Sequence, residues 1–227
     1  RSLVKVPVTL TVNAVAYPLE LEPGTSLLVA VREAVGLTGA KEGCDDSECG
    51  ACMMLIDGRP GLGCRTLTRD LGSRITLAPL PVFRLIGDLS VDTGAWMQGM
   101  AERLETWVHL REQEPDLGAL EERMEPALAE EIYELERCIE CGCCVAACAT
   151  ARMREDFVGA AGLNKIARFR LDPRDTRSDE QFYELIGDES GVFGCMTLLG
   201  CEDNCPKNLP LSTQIAFLRR KMLVAAS

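Results

Sequence analysis

The sequence predicts an α+β chain of two small domains, strand-rich at the N-terminus and helical at the C-terminus. Three observations carry that expectation. Alternating or β-branched stretches such as VKVPVTLTV, AVAYPLEL and CMMLI stop by about Leu77. From Trp96 onward Glu, Leu, Ala and Met dominate with no strand alternation. Finally, 227 residues with 47% hydrophobic content suffice for two cores, and the 12 cysteines divide between the halves. The boundary is placed between residues 96 and 97.

Taken in order, VKVPVTLTV and AVAYPLEL flank Asn13 and read as a hairpin. A helix follows, capped by Thr25 or Ser26, with LLVAVREAV keeping apolar residues on one face and Gly36 ending it. After a cysteine-rich loop come a strand over Cys52–Ile56, a turn at Asp57-Gly58 and a further strand at Ile75–Leu77. Trp96 to Glu136 reads as a helical connection whose acidic side chains form a solvated face. VGAAGLNKIARF and LSTQIAFLRRKML read as helices behind two cysteine runs. Lys165, Arg168, Arg170, Arg174 and Arg177 are expected on a solvent-facing helix side, and Arg219, Arg220 and Lys221 at a helix end, where they complement its dipole. Trp96, Trp107 and the sole histidine, His109, lie outside the cysteine motifs and read as structural.

The cysteines carry the chemistry. Cys138, Cys141, Cys144 and Cys148 in CIECGCCVAAC form a full C-x2-C-x2-C-x3-C run. In CMTLLGCEDNC-P, Cys195, Cys201, Cys205 and Pro206 repeat that pattern with Leu198 in the second position. In two-run ferredoxins the fourth cysteine of each run serves the other run's cluster. Cys138, Cys141, Cys144 and Cys205 are therefore expected to hold a [4Fe-4S] cluster. Cys148, Cys195 and Cys201 supply three thiolates, and leucine cannot ligate iron, so the second centre is expected to be [3Fe-4S]. Cys143 does not fit the spacing and reads as a buried non-ligand. Upstream, Cys44, Cys49, Cys52 and Cys64 are spaced C-x4-C-x2-C-x11-C; the first three match a plant-type [2Fe-2S] loop, and the Asp57-Gly58 hairpin returns the fourth. Four thiolates also bind zinc, although structural zinc sites favour two paired knuckles. Asp45, Asp46 and Glu48 place negative charge in this loop, which lowers the potential of a nearby centre that gains an electron.

Composition excludes several classes. A net charge of -11 disfavours nucleic-acid binding through a general positive field. No apolar run approaches the roughly 20 residues of a membrane helix. With no signal peptide read and a length that needs no staples, a disulfide framework is not expected. One histidine, no G-x-G-x-x-G fingerprint and no cysteine–histidine pairing leave no catalytic constellation on this chain alone.

The three motifs in this order resemble the iron-sulfur subunit of the succinate dehydrogenase and fumarate reductase family, over nearly the whole chain. CIECGCCVAACAT, MREDFVGAAGLN, YELIGDESGVFGCMTLLGCEDNCPKNLPL and LRRKM are most similar to fumarate reductases anchored by a dihaem cytochrome b. The resemblance implies an N-terminal β-grasp [2Fe-2S] domain and a C-terminal α-helical ferredoxin domain. It implies two partners: a flavoprotein with covalent FAD that interconverts fumarate and succinate, and a haem b membrane anchor that handles menaquinol or another quinone. Electrons would pass between haems and flavin through [3Fe-4S], [4Fe-4S] and [2Fe-2S] in that order, at the cytoplasmic face of the inner membrane. A sibling complex, a methylmenaquinol or thiol-linked fumarate reductase, would share the motifs, whereas a structural zinc protein would lack the redox centres. Where many members carry proline after the first run, this chain has Ala149. Met153 and Met196 stand where quinone-reducing relatives carry tryptophan and histidine, so the membrane partner is expected to supply the quinone site.

Overall fold

Val8, Leu10 and Val12 of the first strand, β1 (Val6–Val12), point to one side and are buried, while the residues between them are partly exposed. This period-2 burial builds the first domain. The computed structural model describes residues 4–110, 118 and 123–225. Strand β1 pairs antiparallel with β2 (Val15–Leu21) through a two-residue turn in which Asn13 and Ala14 both have positive φ, 50° and 67°. Strands β3 (Met53–Ile56) and β4 (Arg59–Leu62) form a second hairpin around Asp57 and Gly58, also left-handed. Strand β5 (Arg74–Ala78) lies between the hairpins, parallel to β1 and antiparallel to β3, giving the order β2-β1-β5-β3-β4. Pro18 and Pro60 fall in the two edge strands, where a missing N–H costs least.

The expected helix lies against this sheet, burying Leu27, Leu28, Ala30 and Val31. Ser26 caps it, its hydroxyl accepting from Val29 N at 3.3 Å, and Gly36 ends it at φ 85°. It opens as a single α turn, α1 (Leu27–Val29), and continues as a π-helix over Ala30–Val35, a widening that its 3.6-residue pattern did not signal. The sheet clasping a helix is the β-grasp arrangement. A short hairpin, β6 (Arg84–Gly87) and β7 (Ser90–Asp92), was not expected; its register shifts between Leu85 and Gly87 and its first strand is largely exposed, so it carries no alternation to read.

The second domain is helical: α2 (Gly94–Leu104), α3 (Pro126–Glu136), α4 (Cys143–Ala146), α5 (Ala149–Met153), α6 (Gly159–Leu171), α7 (Asp179–Ile186), α8 (Gly200–Asp203) and α9 (Leu211–Ala225). Helix α6 is buried along most of its length and packs against α2, α3, α4, α7 and α9, with Leu163, Ile166, Phe182, Leu218 and Met222 among the core. The Trp96–Glu136 connection contains α2 and α3; much of the stretch between them lies outside the described residues. No helix among the described residues is long and apolar enough to cross a membrane.

Two expectations about basic residues change. Lys165, Arg168 and Arg170 are ion-paired to Glu140, Glu136 and Asp179. Arg177 is buried rather than solvent-facing: it ion-pairs with Asp175, donates to the carbonyls of Glu105 and Trp107, and lies over the Phe182 ring. Arg219, Arg220 and Lys221 lie before the last turn of α9, which runs on to Ala225, so the dipole argument does not account for them.

Candidate iron-sulfur sites

Beyond Gly36 the chain is tied down before it reaches its first cysteine. Arg32 donates to Ala40 O at 2.7 Å, and Gly39 N donates to Asp88 Oδ2 at 2.9 Å. The loop then curls around one sulfur: Cys44 Sγ accepts from the backbone N–H groups of Asp46, Glu48 and Cys49, each at 3.3 Å. Left-handed residues at Asp45 and Ser47 turn successive amides inward, the geometry of an anion-binding nest. Those amides, Asp46 and Glu48 first, bring the Cys44 thiol down to about 7. Cys49 Sγ accepts from Ala51 N at 3.5 Å, and a Cβ on Gly43 would come 2.8 Å from that sulfur. Cys52 precedes β3 and Cys64 follows β4, so the hairpin returns the fourth cysteine as expected: Cys64 N donates to Cys52 Sγ at 3.4 Å. Burial pushes the Cys52 thiol up to about 12.

The second group forms where two distant segments meet. Cys138 follows α3; Cys141 and Cys144 flank the start of α4, turned in by Gly142 at φ 79°; Cys205 follows α8. All four line one cavity with Ile139, Ala161, Leu209 and Leu211. Burial raises the Cys138 and Cys144 thiols, while contact with the Cys143 thiol lowers Cys141 against its own burial. Cys143 itself lines neither this cavity nor the next; it is fully buried beside Leu80, Val91 and Ala146.

Cys148, at the start of α5, lines a third space of about 600 Å3 together with Cys195, Cys201 and Leu198. Burial, then the neighbouring Cys148 and Cys195, push Cys201 up to about 11. Arg219, from the middle of α9, holds this loop: it donates to Cys195 O, to Thr197 Oγ1 at 3.1 Å and to Val192 O at 3.3 Å. Sequence reading missed this role because 24 residues separate Arg219 from Cys195 and nothing local links them.

The eleven predicted residues thus fall into three groups whose donor chemistry suits iron-sulfur clusters: thiols around volumes, amides on sulfur, and glycine where a side chain would intrude. Among the described residues no three or more His, Cys, Asp or Glu side chains are close enough to share a single metal ion.

Comparison with known proteins agrees. Residues 16–98 match a 2Fe-2S iron-sulfur cluster binding domain and residues 134–209 a 4Fe-4S dicluster domain. The chain is 63% identical over 181 residues to the fumarate reductase iron-sulfur subunit of Wolinella succinogenes, covering 79% of this chain and 75% of that one. It is 30% identical over 213 residues to the succinate dehydrogenase iron-sulfur subunit of Bacillus subtilis, covering 91% and 83%. In fold it is similar to a chain of the Mycobacterium smegmatis Sdh1 complex, with a TM-score of 0.79 at 22% identity over 97% of both chains.

Proposed function

Because this chain belongs to the iron-sulfur subunits of the fumarate reductase and succinate dehydrogenase family, we propose that it is the one-electron conductor between a membrane-anchored quinol site and a flavin site. Cys44, Cys49, Cys52 and Cys64 hold [2Fe-2S]; Cys138, Cys141, Cys144 and Cys205 hold [4Fe-4S]; Cys148, Cys195 and Cys201 hold [3Fe-4S], Leu198 supplying no fourth thiolate. Bound clusters supply reversible one-electron oxidation and reduction at potentials set by their surroundings. The first domain spans residues 1–96 and the second 97–227.

One observation carries the reading: the Cys138 group lies between the other two. On one side Ile139 and Cys141 pack into the core of the first domain. On the other, Cys144 lies near enough to Cys201 for the second sulfur to raise its pKa, through a shared contact of α4 with α8. A chain of three groups in that order suits passage from one partner to the other. The partners we assign are a flavoprotein carrying FAD, on the [2Fe-2S] side, and a dihaem cytochrome b anchor, on the [3Fe-4S] side, at the cytoplasmic face of the inner membrane. Oxidation of a menaquinol at the anchor releases two electrons and two protons, and fumarate reduction at the flavoprotein consumes two of each. This chain carries the electrons only, one at a time. Its own residues would ligate iron through cysteine thiolates and donate amides to sulfur, and in the helical domain the core packs against the ligands.

Electron paramagnetic resonance of the anaerobically purified complex, with an iron count, tests this. An oxidised-state three-iron signal, further signals on reduction and about nine irons are expected. About ten irons without the oxidised signal would overturn the assignment at Leu198, and a colourless preparation would overturn the whole reading.

A further inference from the structure

Three contacts join the loop and hairpin that carry Cys44, Cys49, Cys52 and Cys64 to the segments that carry Cys141 and Cys205, and each lies close in sequence to one of these cysteines. Gly50, at φ 72°, rests on Cys141 so closely that a Cβ there would come 2.8 Å from Cys141 Cβ and 3.2 Å from its Cα. Lys207 Nζ meets Glu48 Oε1 at 2.6 Å, with the lysine side chain only 14% exposed. Arg65, directly after Cys64, donates to the carbonyl of Pro206, directly after Cys205, at 2.8 Å. Arg137 holds the same segment from the far side, donating to Lys207 O at 3.0 Å.

We propose that Gly50, Lys207 and Arg65 are positioning residues for electron passage between the first two cysteine groups, an inference that rests on the ligand assignment above. Tunnelling falls steeply with separation, so the closest contact between the two groups governs the rate of this step. Position 50 is a direct contact between the two groups, and it is filled by backbone. Carbon atoms in good contact stand about 3.5–4.0 Å apart, so a methyl at residue 50 must part the loops by roughly 1 Å. Cys141 has little room to yield, because its backbone runs straight into left-handed Gly142 and then α4. The two cations act differently. Each spans from one cysteine-bearing segment to the other and holds the loops in register.

The backbone conformation of Gly50 offers a competing explanation, since any side chain is strained at positive φ. Gly36 separates the two. It has φ 85° and nothing within 4 Å of its would-be Cβ, so Gly36→Ala carries the backbone strain without the collision.

The experiment uses the anaerobically purified complex, reduced until the [2Fe-2S] and [4Fe-4S] signals are both present. Microwave-power saturation of the [2Fe-2S] signal in this sample reads its magnetic coupling to its neighbour, and freeze-quench sampling of a separate, oxidised sample after addition of quinol reads electron arrival. Gly50→Ala should keep the iron content and midpoint potentials of the unaltered complex. Its [2Fe-2S] signal should saturate at several-fold lower power, and electrons should arrive several-fold more slowly. Lys207→Gln combined with Arg65→Gln should do the same in smaller measure, and Gly36→Ala should do neither. Full iron with unchanged saturation and arrival in Gly50→Ala would overturn the proposal, as would an equal effect from Gly36→Ala. Should Gly50→Ala lose its [2Fe-2S] cluster, the double variant decides by the same readouts, and unchanged coupling there refutes it. Loss of the cluster signals from the unaltered complex would instead overturn the ligand assignment and this inference with it.

Discussion

Replacing Arg177 with methionine removes a cation whose side chain is 3% exposed and whose partner, Asp175, is 1% exposed. The guanidinium donates to Asp175 Oδ1 at 3.0 Å and Oδ2 at 2.6 Å, and to Glu105 O and Trp107 O at 3.1 Å each. Its planar face lies 4.5 Å from the Phe182 centroid. Methionine fills part of the volume but leaves a buried carboxylate and two carbonyls without their donor. Removing one partner of a buried ion pair costs about 3–5 kcal/mol. For a chain of this size that is a fall in Tm of roughly 6–20 °C. The pH dependence distinguishes this cause from simple loss of packing. Burial pushes the Asp175 carboxyl up, but Arg177 and the amides of Arg177 and His109 outweigh it and hold the group below its ordinary value. With a folded pKa below the unfolded one, Asp175 contributes its stability above about 3.9 and loses it as pH falls through the lower folded value. In Arg177→Met burial is less opposed and the folded pKa rises, so the difference between the two proteins shrinks on acidification. The two proteins should differ most near neutral pH, and the gap should narrow as pH falls towards the unfolded carboxyl value of about 3.9. Scanning fluorimetry of the anaerobic protein across this range checks it; a Tm within about 2 °C of the unaltered protein near neutral pH, or a gap that widens on acidification, refutes the reasoning.

Other substitutions address the cysteine groups. Asp45→Asn with Asp46→Asn removes two negative charges from the loop around Cys44 while keeping the Asp46 amide on its sulfur, so the [2Fe-2S] midpoint should rise by tens of millivolts; a redox titration showing no rise would remove these charges from the account. Leu198 is 67% exposed and lines the same cavity as Cys148, Cys195 and Cys201, so Leu198→Cys should bring a fourth iron into the three-iron centre; an unchanged oxidised-state signal would show that loop geometry, not the missing thiolate, excludes it. Arg219→Met removes the donor to three acceptors on the Cys195 loop, each charged hydrogen bond being worth about 1.5–3 kcal/mol, so the [3Fe-4S] signal should be lost or labile while the others persist. Equal loss of all three signals would mean that Arg219 supports the domain and not the loop.

Much of the fold was legible because its signals are local. The Asn13 and Asp57-Gly58 turns need positive φ, the Ser26 cap needs a hydroxyl, and Val8, Leu10, Ile75 and Leu77 alternate with their pleat. The grouping of the cysteines was legible for a different reason: spacing between them encodes which sulfurs a loop can present together. What escaped was long-range and polar. Arg177 reads as one more cation in an alternating stretch, and only the fold reveals that the end of α2 brings carbonyls to it. Arg65 and Lys207 sit one and two residues after Cys64 and Cys205, a proximity that could have marked them. Their partners lie 141 and 159 residues away. The closeness of Gly50 to Cys141 has no sequence signal beyond the glycine, which a turn alone would justify.

The placement of the sulfurs differs between the two domains. None of the eleven lies inside a strand, and most stand in loops or at the ends of short helices, where backbone N–H groups lack partners in regular structure and are free to donate to sulfur. In the first domain Cys52 is buried in the core of Leu10, Leu27, Met54 and Leu77 and Cys64 packs against it, whereas Cys44 and Cys49 stand exposed in a loop at its edge. In the second, Cys138, Cys144, Cys148, Cys195, Cys201 and Cys205 all pack against the central core cluster, and burial raises the thiols of Cys138, Cys144 and Cys201. Iron must displace the protons of these thiols as it binds. Because Cys205 joins Cys138's group while Cys148 joins that of Cys195 and Cys201, each centre stitches the segment before α6 to the segment before α9. With the proposed ligand set, iron would lie within the core of the helical domain, whereas the β-grasp domain would hold it by two cysteines at its core and two at its margin.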